Sequence, residues 1–427
     1  MAHENDPQKP LSRRSFLMKG TMGTLAGFAG AQELIARPVP SRPKQRRTTP
    51  IANCAVIGYG PWGRELASTL DRMEEANLVA VCDEFNLLRR RAQRDIPNAT
   101  WQTDYRTILD DSNITAVFIA TATHEHRALV EEALAAGKHV YCEAPLANTI
   151  EDARAIAQAA AAHPDQAFQT GMLYRTEPQH RDVFGFIRSG AIGNAVMARS
   201  QWHSKESWRQ ASSNREREQR INWRLDEDKS IGLVGEYGVH NIDKMMWILN
   251  STPVSVTGIG NVKHWDDGRT IPDTVQAIIG FENGVQYIFH ASLATSFDRS
   301  YDMFYGTDST IMMRDQKAWM FKEVDAPLLG WEVYARKDKF YKEKGIALLA
   351  NATQLDAQDL GPTDDIPGQE TPTWYAMKAF MDNIEFGPYP SPAGPEVAFA
   401  ANVVAIKAHE AIMGNTTVTF APEDFAI

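Results

Sequence analysis

Between residues 53 and 162, short apolar runs alternate with stretches of helical period. Residues 53–57, 78–82, 114–120 and 139–142 are continuous apolar segments of strand length, the pattern of strands buried on both faces. Residues 64–73 place Leu66 and Leu70 on one helical face; 126–136 read as a helix stopped by Gly137; 150–162 read as an alanine-rich helix. This βαβα order predicts an α/β protein with an N-terminal doubly wound parallel sheet. Further on, 273–281, 285–293 and 309–313 read as strands, with Asn283-Gly284 as a hairpin turn, and 374–384 and 396–413 read as closing helices.

The first strand is followed at once by Gly58-Tyr59-Gly60-Pro61-Trp62-Gly63. A G-x-G-x-x-G between a strand and a helix predicts a dinucleotide site. Gly58 allows the tight turn, Gly60 lets the backbone approach a pyrophosphate, and Gly63 lets helix and strand pack closely. The helix N-terminus, with Pro61 and Trp62, presents free N–H groups to phosphate. Asp83 ends the second strand, 20 residues after Gly63, where an acid holds a ribose 2′-hydroxyl. Asp83 and Glu84 would repel a 2′-phosphate, which predicts NAD; Arg89, Arg90 and Arg91 close by leave NADP open.

Composition narrows the classes. The chain has 427 residues, enough for two or three domains, and its 43% hydrophobic content excludes wholesale disorder. A formal charge of −10 argues against nucleic acid as the main ligand. Three cysteines, Cys54, Cys82 and Cys142, cannot make a disulfide framework and lack the spacing of a metal site, so no metal is expected.

The N-terminus changes the picture again. Arg13-Arg14 followed by Phe16-Leu17, a weakly apolar stretch over 21–31, and Ala29-Gly30-Ala31 fall in the order of a secretory signal, and the paired arginines resemble a twin-arginine signal. The expected organisation is a signal peptide over 1–31, a linker over 32–50, a nucleotide-binding domain over 51–170, and a substrate and oligomerisation domain over 171–427. The expected location is the periplasm, or another compartment reached by the twin-arginine machinery.

Several blocks together resemble the Gfo/Idh/MocA family: the glycine loop, Asp83, residues 121–126, Gly137-Lys138-His139-Val140, Glu143-Ala144-Pro145, Tyr174-Arg175, Ser189-Gly190, and Glu236 with His240 and Asp243. The resemblance implies a second α/β domain with a large, mostly antiparallel open sheet. It implies cofactor contacts from Thr121, His126 and Glu143, and an acid/base role for His240. It also implies a lysine between Glu143 and Pro145, where this chain has Ala144, and an aspartate where it has Glu236. The resemblance implies an oxidoreductase that acts on a carbohydrate, and a likeness to glucose-fructose oxidoreductase implies a retained, internally recycled cofactor.

Alanine handles no proton, so other groups must. Glu236 and His240 are four residues apart, and on one helix the carboxylate would orient the imidazole and raise its pKa. Tyr174 is the candidate to replace the lysine, and Arg175 could hold a hydroxyl or carboxylate. In the aromatic and polar segment 201–225, Trp223 and Arg224 suit a sugar-binding wall. The reading is an exported NAD(P)-dependent sugar or polyol oxidoreductase that forms homo-oligomers. Two alternatives remain: a redox-neutral, NAD-dependent glycosidase and a non-catalytic sugar-binding protein.

Overall fold

The computed structural model describes residues 49–340, 343–348 and 369–427. The paired arginines, the Ala29-Gly30-Ala31 site and linker residues 32–48 lie outside the described residues.

The first sheet has six parallel strands: β1 (Ala52–Ile57), β2 (Ala76–Cys82), β3 (Thr100–Gln102), β4 (Ala116–Ile119), β5 (His139–Cys142) and β6 (Phe168–Thr170). Their order is β3-β2-β1-β4-β5-β6. The order reverses between β1 and β4, and the crevice beyond their carboxyl ends is where such sheets bind ligands.

Helices cover both faces of this sheet. On one lie α1 (Pro61–Arg72) and, from far along the chain, the helix Pro372–Phe386. Leu66 and Leu70 pack there with Phe118, Tyr141, Met377 and Phe380. The Phe118 and Phe380 rings meet edge to face at 5.3 Å. On the other face lie α2 (His126–Ala135), α3 (Ile150–Ala162) and the 20-residue helix Pro395–Gly414, which share one continuous core with the second sheet. The nucleotide-binding half therefore borrows a helix from the C-terminal region. Helix α1 starts at Pro61, earlier than its apolar period suggests, because proline at the first position carries the φ a helix needs and gives up a donor that has no partner there.

The second sheet has ten strands, here named β7 (Ala195–His203), β8 (Pro253–Asn261), β9 (Thr274–Phe281), β10 (Gln286–Ser292), β11 (Ser300–Gly306), β12 (Ser309–Arg314), β13 (Lys317–Lys322), β14 (Lys337–Phe340), β15 (Glu343–Leu348) and β16 (Thr417–Thr419). Its order is β14-β15-β13-β12-β11-β7-β10-β9-β8-β16. Among these pairings only β7 with β10 is parallel. The Asn283-Gly284 turn joins β9 to β10, with Gly284 at φ +83°.

Two local features bear on the site. Tyr174 and Arg175 lie just beyond a strand: β6 stops at Thr170, and Leu173–Arg175 form a 3-10 turn. Glu236 and His240 do not share a helix: the chain breaks at Tyr237 between Gly232–Glu236 and α4 (Gly238–Leu249). Gly235 and Gly238 flank that break, and glycine is a weak helix former.

Candidate active site

Backbone geometry builds the crevice above β1 and β4. Gly58 sits at φ +93°, and a side chain there would strike the Ala120 carbonyl. A side chain on Gly63 would strike Gly58. Around Gly60, by contrast, an added methyl meets nothing within 4 Å. The protein leaves that space open at the start of α1, where Gly60 caps the helix without a side-chain bond. Free N–H groups and the positive end of the dipole thus face the opening.

Asp83 closes the far side. Its carboxylate oxygens accept from the Tyr59 and Phe85 N–H groups, each at 2.9 Å. Each oxygen keeps accepting capacity for a further donor such as a ribose hydroxyl. Burial raises the Asp83 pKa, and the two N–H bonds oppose the rise.

Glu143, just beyond β5, is buried against Gly171, and its pKa is pushed up to about 8 by burial. Trp62 donates to it, yet its Oε1 has no partner. The Thr121 hydroxyl is also buried without a partner. His126 bonds through Nδ1 to the carbonyls of Pro145 and Leu146, at 3.1 and 3.2 Å, which leaves Nε2 unpaired. Burial pushes the His126 pKa down to about 4. Open space at Gly60 and unpaired atoms on Thr121, His126 and Glu143 fit a polar ligand lying across the crevice. Buried polar groups left unpaired are costly unless something else completes them.

A second set of side chains gathers where the turn after β6 meets α4. The Tyr174 ring stands edge-on to His240 at 6.2 Å and lies against His180 at 4.5 Å. His240 is half-buried, its solvent-excluded Nδ1 is unpaired, and its pKa is pushed down to about 4 by desolvation and then by Lys244. It does not pair with Glu236. That carboxylate accepts from Arg224 at 2.6 Å, so the expected upward push on the imidazole is absent and the direction is reversed. The break at Tyr237 explains the miss, because i and i+4 are neighbours only on a continuous helix.

Arg175 is likewise committed. It makes a bidentate bond to Asp243 at 2.7–3.1 Å and stacks on Trp247 at 4.9 Å. Its fork is filled on one side by that buried carboxylate. Tyr174 is half-buried, and desolvation raises its pKa, with Lys244 opposing the rise.

The segment 201–225 forms one wall. Trp223 is buried with an edge toward His124 at 6.0 Å, and Arg224 lies over its ring at 4.4 Å. Asn222 staples the loop, bonding to Gln210 and Glu218. Trp208 and Trp202 pack on Tyr237, the latter stacked at 4.4 Å. Helix Arg215–Ile221 reaches the nucleotide-binding half: Arg220 pairs with Glu84, and Arg217 and Arg220 lie over Phe85 at 5.2 and 5.8 Å. Among the described residues no three His, Cys, Asp or Glu side chains converge as a metal site.

The structure therefore groups the sequence-predicted residues in two sets. Gly58, Gly60, Pro61, Trp62, Gly63, Asp83, Thr121, His126 and Glu143 surround the crevice; Tyr174, Arg175 and His240 gather at α4, Glu236 just before it holds Arg224, and Trp223 lies between Arg224 and His124. Gly171, packed against Glu143 and three residues before Tyr174, links the two. Sequence reasoning missed the buried Glu177–His180 pair, Lys244 with Asp302, and Arg220. Lys244, a charge on the largely apolar helix 238–249 four residues after His240, was the available signal.

Comparison with known proteins follows the same division. Residues 52–171 match the profile described as an oxidoreductase family with an NAD-binding Rossmann fold, and residues 180–312 match the GFO/IDH/MocA C-terminal domain. Together they span more than half of the chain. A 1,5-anhydro-D-fructose reductase of Ensifer adhaerens is 26% identical over 263 residues, 60% of this chain and 75% of that protein. An inositol 2-dehydrogenase of Salmonella paratyphi B is 27% identical over 203 residues, 46% of this chain and 54% of that protein. The chain thus aligns with only about half of that second relative. A levoglucosan dehydrogenase solved with NADH and L-sorbose superposes with a TM-score of 0.68 at 20% identity, covering 87% of this chain and 99% of that one.

Proposed function

The chain belongs to the Gfo/Idh/MocA family of NAD-binding oxidoreductases, and we propose that it oxidises and reduces a hydroxyl-bearing carbon of a sugar or polyol. The observation that carries this is a half-buried, neutral His240 whose solvent-excluded Nδ1 is unpaired, set beside Tyr174 and linked through Gly171 to the crevice of Gly60, Asp83 and Glu143. NAD, when bound, supplies hydride exchange at its nicotinamide ring. The protein supplies the rest. Gly60 and the start of α1 seat the phosphates, and Asp83 accepts from ribose hydroxyls. Thr121, His126 and Glu143 offer polar atoms deeper in the crevice. Neutral His240 takes the proton from the substrate hydroxyl during oxidation and returns it during reduction. Trp223 and Arg224 wall the sugar side, and Arg175 is held by Asp243 as a rigid prop. Asp83 and Glu84 favour NAD over NADP.

The Arg220–Glu84 pair and the two arginines over Phe85 support a cofactor that stays bound and is recycled within the cycle. Retention suits export, which the twin-arginine pattern and Ala29-Gly30-Ala31 support. Exposed Val254, Ile259 and Ile278 on β8 and β9 suit pairing with a second copy. Ala144 favours one further reading: where the family lysine is missing, transient oxidation could serve a redox-neutral cleavage of a glycoside. A screen of free sugars, polyols and glycosides on protein with its native cofactor tests both. A change in nicotinamide absorbance with free sugars supports oxidoreduction, and new reducing ends without net change support cleavage. Neither signal, with NAD bound, would leave only sugar binding.

A further inference from the structure

Four residues beyond His240, α4 buries a lysine. The Lys244 side chain is 3% exposed, and its ammonium pairs with Asp302 of β11. The same ammonium stands 4.1 Å from the centre of the Tyr174 ring. Asp302 is held by two further donors, the Ser200 hydroxyl from β7 at 2.5 Å and Asn241 from α4 at 2.8 Å. Both partners of this pair are buried, and burying ions is expensive. The cluster ties α4, β7 and β11 together beside Tyr174 and next to His240, the proposed base.

We propose that Lys244, held by Asp302, is a positioning residue for His240 and Tyr174, fixing the tyrosine ring and presenting a positive charge to both. The inference rests on the oxidoreductase reading of the same site. The other charges around α4 are accounted for. Glu177 holds His180, Asp243 holds Arg175, and Glu236 holds Arg224. Strand alternation turns Arg199 of β7 and His290 of β10 to the opposite face from Ser200 and Phe289. On Pro395–Gly414, Lys407 pairs with Asp424 and His409 stands near Gly232. Lys244 is the charge that acts on His240, adding to burial in keeping the imidazole neutral. Toward Tyr174 it opposes the effect of burial. One cation thereby helps keep the base neutral and limits the rise at the phenol, to which Asp302 and Glu177 add.

The test uses the NAD-loaded protein and the variants Lys244→Met and Lys244→Arg. The His240 ring is titrated by NMR without substrate, and the pH profile of kcat/KM is recorded separately. In Lys244→Met both the imidazole titration and the acid limb of the profile should move up by about one pH unit, while Lys244→Arg keeps both near wild type. A lysine that only packs would lower Tm and leave the titration in place, and that result would overturn the proposal. If Lys244→Met does not fold, Lys244→Met/Asp302→Asn removes the pair together, with the same upward shift expected and an unmoved titration again decisive against it. Wild-type protein without turnover would instead count against the oxidoreductase reading, since the NMR shift is read without substrate.

Discussion

The crevice over β1 and β4 and the corner around α4 are built by different means. The crevice depends on backbone: a positive φ at Gly58, a close approach at Gly63, an open space at Gly60, and a helix end free of side-chain caps. These glycines and the helix end lie within one βαβ unit. The α4 corner depends on side-chain pairs that join different elements: Arg175 to Asp243, Arg224 to Glu236, Lys244 to Asp302. A site made of backbone needs particular glycines and tolerates little else there. A site made of buried pairs can change its members as long as charge is balanced. Glu236, where the resemblance implied Asp, falls in the second kind of site, and Ala144, where it implied Lys, follows Glu143 of the first.

Four tests would sharpen or break this contrast. The largest effect is expected in the corner. His240→Ala should lower kcat about 10²–10⁴-fold while leaving NAD affinity near wild type, as measured by steady-state kinetics and cofactor titration. An equal loss of NAD binding would erase the distinction between the two regions. Next, Gly60→Ala should weaken NAD binding roughly tenfold to a hundredfold with little change in Tm, because the added methyl meets ligand space and no protein atom. Gly63→Ala, which strikes Gly58, should lower Tm as well.

The third is a pH effect. His240, with a pKa pushed down to about 4, is unprotonated at neutral pH, so oxidation should hold its rate well below pH 6.5 and fall only on approach to about 4. The same sign governs stability. His126, His240, His290 and His409 all fall to about 4 when folded, so the unfolded chain takes up protons first. Stability should be fully present above about pH 6.5 and decline as pH drops from there toward 4, which denaturant midpoints across that range would record. The smallest effect is expected at Arg220→Ala. Its pairs are partly exposed, so NAD should leave only a few times faster, as read by stopped-flow displacement.

The same contrast explains what the sequence disclosed. Four longer strands of the parallel sheet and its glycine loop were legible because each strand, turn and helix is a local pattern, and Asp83 stands at a fixed distance from the loop, whereas β3, only three residues long, was not. The helix Pro372–Phe386 under that sheet was legible as a helix and not as a neighbour of Phe118, since nothing local encodes a return over more than 200 residues. In the corner, His240 was found by its motif, but its partners were not. The i, i+4 rule assigned it Glu236, and the break at Tyr237 gave Glu236 to Arg224 instead. Lys244 was overlooked because a lysine on a helix ordinarily reaches solvent, and only the position of Asp302 on β11 shows why this one does not.

The account depends most on an imidazole that works beside a nicotinamide. Purified protein loaded with NAD+ and mixed with sugars and polyols in single turnovers, wild type beside His240→Ala, measures this directly. The expected result is a rise in reduced-nicotinamide absorbance with at least one substrate in wild type, slowed by two orders of magnitude or more in the variant. Equal rates in both proteins, with the cofactor demonstrably bound, would contradict it.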